Sequence, residues 1–231
     1  MTKSDNPERE QRILDAAADL IIHYGYDKTT VDDIARQAGV SKGAIYLHFA
    51  GKDNLFEALL IREMSAHAKK WFDLIEADPE GGTVASMYKN TLYALSSSPF
   101  MAAMFKQDGR VLGGYLRKPD NFFRDPRNRS TRYDFVKMMQ DAGAMRRDID
   151  PKVIAHIMNM LAFGLVSMDE LMAKEDIPPL EDLIEGIAAL MDRALRPEDD
   201  GGDKEAGKAV LRQIMAAARQ KLQQPKNAEQ E

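Results

Sequence analysis

The chain has 231 residues, 44% of them hydrophobic, and a formal net charge of −5, which suits one small domain joined to a larger one. It holds no cysteine, so a disulfide framework and thiol chemistry are excluded. Through Ile61, seven Lys and Arg face ten Asp and Glu. A nucleic-acid partner held by bulk positive charge is therefore excluded as well, and any such contact has to rest on local charge placement.

Apolar runs stay short of the eighteen or so residues of a membrane span. The longest, Ile157 to Met168, is broken by Asn159 and followed by Asp169. Met1 to Glu10 is polar and lacks the apolar stretch of a signal peptide. A cytoplasmic protein without membrane contact is expected.

Strand-like alternation and hairpin turns are missing, so the pattern predicts an all-α fold. In the first helix Asn6 suits the N-cap, Pro7 the first helical position and Glu8 the positive end of the dipole. Ile13, Ala17, Leu20, Ile21 and Tyr24 recur at helical spacing before Gly25. Thr30 and Asp33 form a capping-box pattern for a short second helix, with Val31, Ile34, Ala35 and Ala38 as its buried stripe and Gly39 as its stop. Ser41 caps a third helix through Phe49. A long fourth helix runs from Asp53 towards Ala77, ahead of the break Asp78-Pro79-Glu80-Gly81-Gly82.

Beyond the break, helices are expected over 83–97, 99–107, 128–143, 151–174 and 179–195, with 109–125 irregular. An acidic linker covers 196–203, an appended amphipathic helix runs from Lys204 to Leu222, and the tail from Gln223 is disordered. The predicted domains are 1–52, 53–197 and 198–231.

Two short helices joined by Ala38-Gly39-Val40-Ser41 match the helix-turn-helix signature, which needs a tight left-handed turn between helices wedged by small or apolar residues. On a helical wheel, Ile45 and Phe49 face the core, and Gly43, Ala44 and Leu47 lie opposite. Leu47 is placed to meet a thymine methyl, and Gly43 lets backbone come close to a duplex. Lys42, Tyr46, His48 and Lys52 ring this face with donors suited to phosphate oxygens. The plainer alternative is a compact three-helix unit with a solvated face. Cap, turn, core and donor ring together weigh against it.

The stretch Thr29-Thr30-Val31-Asp32-Asp33-Ile34-Ala35-Arg36-Gln37-Ala38-Gly39-Val40-Ser41-Lys42-Gly43-Ala44-Ile45-Tyr46-Leu47-His48-Phe49, followed by Gly51-Lys52-Asp53-Asn54-Leu55, closely resembles the TetR family of bacterial repressors. The resemblance covers about Ile13 to Leu60. It implies an N-terminal three-helix DNA-binding domain and a C-terminal helical domain that binds a ligand and dimerises. It also implies that Thr30, Tyr46 and Lys52 hold phosphates, while Lys42 and the outward face approach bases. The expected DNA-binding set is Thr30, Arg36, Ser41, Lys42, Gly43, Ala44, Tyr46, Leu47, His48 and Lys52. Ala44 and Leu47 depart from residue types often seen in the family at those positions.

No motif is specific in the C-terminal two-thirds. Ile154, Ile157, Met158, Leu161, Leu165, Met168 and Leu171 form one apolar stripe, and Leu183, Ile184, Ile187, Leu190, Met191 and Leu195 form another. Either is compatible with ordinary core; the resemblance implies a four-helix homodimer interface. Aromatic residues and flexible methionines suit an adaptable apolar pocket. The expected ligand set is Trp71, Tyr88, Tyr93, Phe100, Met101, Met104, Phe105, Phe123, Tyr133, Met138 and Phe163. One of Arg110, Arg117, Arg132, Arg146 and Arg147 is a candidate for an anionic head group.

His23, His67 and His156 lack metal-ligand spacing, and neither a catalytic constellation nor a phosphate-binding glycine loop occurs. No cofactor, metal or enzymatic activity is expected. The leading reading is a repressor that binds an inverted-repeat duplex as a homodimer and is released by a small apolar or amphipathic ligand. The rivals are control by a protein partner through residues 204–222, and an enzyme or scaffold that carries a helix-turn-helix.

Overall fold

A computed structural model of the chain describes residues 5–125, 132–198 and 204–223. All regular structure among them is helical: α1 Asp5–Tyr24, α2 Val31–Ala38, α3 Lys42–Tyr46, α4 Lys52–Ala77, α5 Val84–Ser96, α6 Pro99–Lys106, α7 Gly109–Leu112, α8 Arg132–Asp141, α9 Pro151–Leu165, α10 Leu180–Leu195 and α11 Lys204–Gln223. The expected start of a helix near Asn128, most of the acidic linker and the tail beyond Gln223 lie outside the described residues.

Local chemistry accounts for most boundaries. Ser98 caps α6 with Pro99 in its first turn, and Asp150 caps α9 with Pro151 in the same position, where a missing N–H costs nothing. Helix α1 begins at Asp5, so Asn6 lies inside it. Helix α9 stops at Leu165, well short of the expected 174, and short 3-10 turns follow at Met168–Glu170 and Lys174–Asp176. Asp169 and Glu170 would place negative charge at the negative end of a longer helix.

The chain forms two compact units: residues 1–65 with 98–130, and residues 66–97 with 131–231. Helix α4 contributes to both. The division differs from the boundary expected near residue 52, because the segment from Ser98 buries its apolar side chains in the N-terminal core. Phe100, Met104, Leu112 and Tyr115 join Ile13, Ile21, Ile34, Ile45, Phe49, Leu55, Phe56 and Leu59 in one cluster, with Met101, Phe122 and Phe123 against it. Phe56 lies 4.7 Å from Tyr115 and 6.3 Å from Phe100, both edge-on. Burying each such ring contributes about 1.5–3 kcal/mol, a driving force that a sequence-local reading does not see.

In the second unit α5 packs along α10, and α8 packs against α9 and α11. Tyr88 is fully buried and its hydroxyl donates to the Met158 carbonyl. The Gln140 amide donates to the carbonyls of Arg146 and Ile149 at 2.9 and 2.8 Å. Helix α11 buries Val210, Leu211 and Met215. Arg212 makes a two-pronged bond to Glu76 at 3.0 and 3.1 Å, and Lys204 pairs with Glu80.

Candidate nucleic-acid interface

The helix-turn-helix is built by reciprocal caps. Thr30 Oγ1 accepts from the Asp33 N–H at 3.1 Å, and the Asp33 carboxylate accepts from the Thr30 N–H at 3.1 Å and from its hydroxyl at 2.6 Å. At the other end Gly39 adopts φ +65° and ψ 36°, and the Val40 N–H reaches back to the Ala35 carbonyl at 3.0 Å. A left-handed residue there turns the chain within one step. Ser41 Oγ then accepts from the Ala44 N–H at 3.1 Å and starts α3.

With Ile34 and Ile45 both in the core, α3 has one rotational setting, and that setting decides what projects. Leu47 is 82% exposed and Tyr46 50% exposed, so both stand out as expected, although α3 ends at Tyr46 and Leu47 is its C-cap. Ser41, Lys42 and Gly43 are exposed, and Ala44 is half-buried. Exposed Thr30 caps the neighbouring helix.

The cations are less free than the sequence alone implies. Lys42 pairs with Asp32 at 2.8 Å, and Arg36 pairs with Asp33. Asp32 raises the Lys42 pKa, so this ammonium stays charged. Lys52 Nζ lies over the Tyr26 ring, 4.1 Å from its centroid, and burial lowers its pKa against the opposing pull of Asp27 and Asp53. His48 departs from the expected donor ring. Its side chain is 5% exposed, with Nδ1 3.7 Å from the Glu10 carboxylate, so α1 covers the imidazole and keeps it from presenting a donor outward.

The expected ligand residues divide between the units. Phe100, Met101, Met104, Phe105 and Phe123 fall in the first, where Phe100 and Met104 are buried core. Trp71, Tyr88, Tyr93, Tyr133, Met138 and Phe163 fall in the second. There Trp71 Nε1–H donates to Thr91 Oγ1 at 2.9 Å, burial pushes the Tyr88 pKa up to about 12, and Phe163 is 50% exposed on α9. A recess bounded by Val84, Ala144, Asp192, Arg196 and Lys204 contains none of the eleven.

The arginines separate more clearly. Arg110 pairs with Asp108, Arg146 with Asp148, and Arg147 donates to the carbonyls of Gln140 and Asp141. Arg117 is exposed. Arg132 is half-buried near Tyr88 with no carboxylate partner among the described residues, and burial lowers its pKa. The acids that hold Arg110 and Arg146 stand two residues away in the sequence, a signal open to a local reading, whereas the carbonyls on Arg147 and the burial of Arg132 depend on the fold.

An all-helical chain whose capped turn displays an exposed third helix has the frame of a helix-turn-helix regulator. Residues 13–59 match the bacterial regulatory proteins of the tetR family. The transcriptional regulator SrpR of Pseudomonas putida is 44% identical over 59 residues, 26% of this chain and 28% of SrpR; the chain thus spans less than a third of that relative. The probable acrEF/envCD operon repressor of Escherichia coli K12 is 26% identical over 176 residues, 71% of this chain and 77% of the repressor. Among solved structures, the regulator FadR of Bacillus subtilis, in complex with stearoyl-CoA, superimposes with a TM-score of 0.57 at 19% identity, covering 78% of this chain and 96% of FadR. Residues 13–59 thus carry the DNA-binding region of the tetR-family regulatory proteins, and the chain as a whole shares its all-helical fold with solved regulators of that kind.

Proposed function

We propose that the chain is a cytoplasmic repressor that grips an inverted-repeat duplex as a homodimer and lets go when a small amphipathic ligand binds. The observation that carries the reading is the exposed Tyr46–Leu47 projection, held in one setting by the Ser41 cap and the buried Ile45 and flanked by Thr30, Lys42 and Lys52. Exposed side chains on a rigid short helix suit base-edge contact, and donors around them suit phosphates.

An exposed apolar row supports dimerisation. Val153, Ile157, Met160 and Phe163 recur at helical spacing along α9 and are 49, 44, 61 and 50% exposed; Leu180 and Leu190 of α10 are exposed too. A contiguous apolar face of this kind marks an association surface, and a two-fold partner lets two α3 helices meet half-sites one DNA turn apart. Helix α11 buries Val210, Leu211 and Met215 within its own unit. That arrangement supports small-molecule control over control by a protein held through α11.

Arg132, half-buried near Tyr88, is the group suited to an anionic end of the ligand. The ligand in the FadR structure, stearoyl-CoA, unites an alkyl chain with anionic phosphates, which is the same chemical pattern. The test begins by selecting a duplex from a random-sequence pool with the purified protein. Stearoyl-CoA, stearate and neutral stearyl alcohol are then titrated into the complex. Anionic amphiphiles should weaken DNA binding by about 5–150-fold, and the duplex should weaken their binding by the same factor. Failure to enrich any duplex would overturn the repressor reading. Enrichment without an effect of any of the three amphiphiles would overturn the ligand class alone.

A further inference from the structure

The segment that the fold adds to the N-terminal unit is basic. Residues 98–125 carry five Lys and Arg against three Asp. Among the described residues this segment adds +2 to a unit whose residues 5–65 have −4. Positive charge that the helix-turn-helix itself lacks thus comes from far along the chain, and one of these cations sits beside Lys52.

Lys118 follows the 3-10 turn Gly113–Arg117. Its ammonium lies 5.8 Å from the centroid of the Tyr26 ring, the ring that Lys52 approaches to 4.1 Å. It also pairs with Asp53, in the first turn of α4, on the carboxylate that receives the Tyr26 hydroxyl. Asp27, the other acid nearby, accepts from the Gly114 N–H at 2.9 Å to each oxygen. The loop bearing Lys118 is fixed further by the Tyr26 N–H, which donates to the Val111 carbonyl at 2.7 Å. Two ammonium groups are therefore held over one buried tyrosine, and the side chain of Lys118 remains 34% exposed.

We propose that Lys118 is a DNA-phosphate contact supplied from outside the helix-turn-helix, extending the phosphate site at Lys52. This inference rests on the DNA-binding reading above. The two ammoniums repel one another, and an anion between or beside them offsets that repulsion. The competing use of Lys118, as a strut for α4 through Asp53, amounts to a partly exposed ion pair, which contributes little to stability. A phosphate contact instead acts through counterion release and leaves a signature in the salt dependence.

The test compares wild type, Lys118→Gln, Lys118→Arg and Asp53→Asn on a duplex selected by the wild-type protein and on a mixed-sequence duplex, across a salt series. Lys118→Gln removes one contact from each protomer. The slope of log affinity against log salt should flatten by about 1.8, at about 0.9 per contact. Between about 50 and 200 mM salt, wild type should therefore lose about 12-fold more affinity than the variant. The loss should appear on both duplexes, and Lys118→Arg should retain the wild-type slope. Asp53→Asn keeps an acceptor for Tyr26 and releases Lys118 from its counter-charge, so it should bind DNA at least as tightly as wild type. Lys118→Gln with an unchanged salt slope would overturn the proposal, as would Asp53→Asn reproducing the Lys118→Gln defect. A wild-type protein that enriches no duplex would overturn the DNA-binding reading itself, and this contact with it.

Discussion

Two glycines with left-handed backbones offer a matched test of how the N-terminal unit is assembled. Gly25 has φ +82°, and a Cβ there would lie 2.5 Å from the Arg110 carbonyl oxygen. Gly39 has φ +65°, with nothing within 4 Å of the same hypothetical atom. Alanine at either site meets the left-handed penalty of about 1–2 kcal/mol. At Gly25 it also has to displace backbone that the Tyr26–Val111 hydrogen bond holds in place, an overpacking cost of about 1–3 kcal/mol. Gly39→Ala should therefore cost about 1–2 kcal/mol and Gly25→Ala about 2–5 kcal/mol. Hydrogen exchange reads both. Protection of amides at the end of α1 should fall by about 5–30-fold in Gly39→Ala and by about 30-fold to several thousandfold in Gly25→Ala. Only Gly25→Ala should also expose the amides of residues 109–118. Equal losses in the two variants, or undisturbed protection over 109–118, would refute the packing of that segment against the α1–α2 connection.

Lys substitution of both Met160 and Phe163, exposed at 61 and 50% on α9, should give a helical monomer in light scattering at micromolar concentration; an intact dimer would count against the α9 interface. The Thr30 hydroxyl and N–H, assisted by Arg36, hold the Asp33 carboxyl below the usual range. Because the folded pKa is the lower one, the stabilisation is complete above the unfolded value and disappears as pH falls through the folded value. Thr30→Val should therefore return the Asp33 titration, followed by NMR, towards the ordinary carboxylate range, and an unmoved midpoint would contradict the capping box.

The helix-turn-helix was legible in the sequence because its determinants are local. Thr30 and Asp33 are three residues apart, Gly39 follows directly on α2, and Ser41 acts on Ala44. The packing partner of residues 98–130 was not legible. Phe100 and Met104 have the composition of a pocket wall as much as of a core, and only their long-range contact with Phe56 and its neighbours decides between the two. His48 shows the same limit in one residue: a third helix running through Phe49 would put it on a flank, but α3 ends at Tyr46 and Glu10 of α1 lies against the imidazole. Lys118 stands 65 residues from its partner Asp53 in a stretch that reads as irregular, and nothing in the local pattern ties it to Lys52.

The central claim is that α3 and the start of α4 hold DNA. The most direct measurement is the affinity of the Tyr46→Ala, Lys52→Ala double variant for a duplex selected by the wild-type protein, followed across salt concentration. Each protomer would lose one cationic phosphate contact, at Lys52, and one neutral hydroxyl donor, at Tyr46, so binding should weaken on every sequence and the slope of log affinity against log salt should flatten by about 1.8, the share of the lysine alone. A folded, dimeric double variant that binds as tightly as wild type with an unchanged slope would contradict the account.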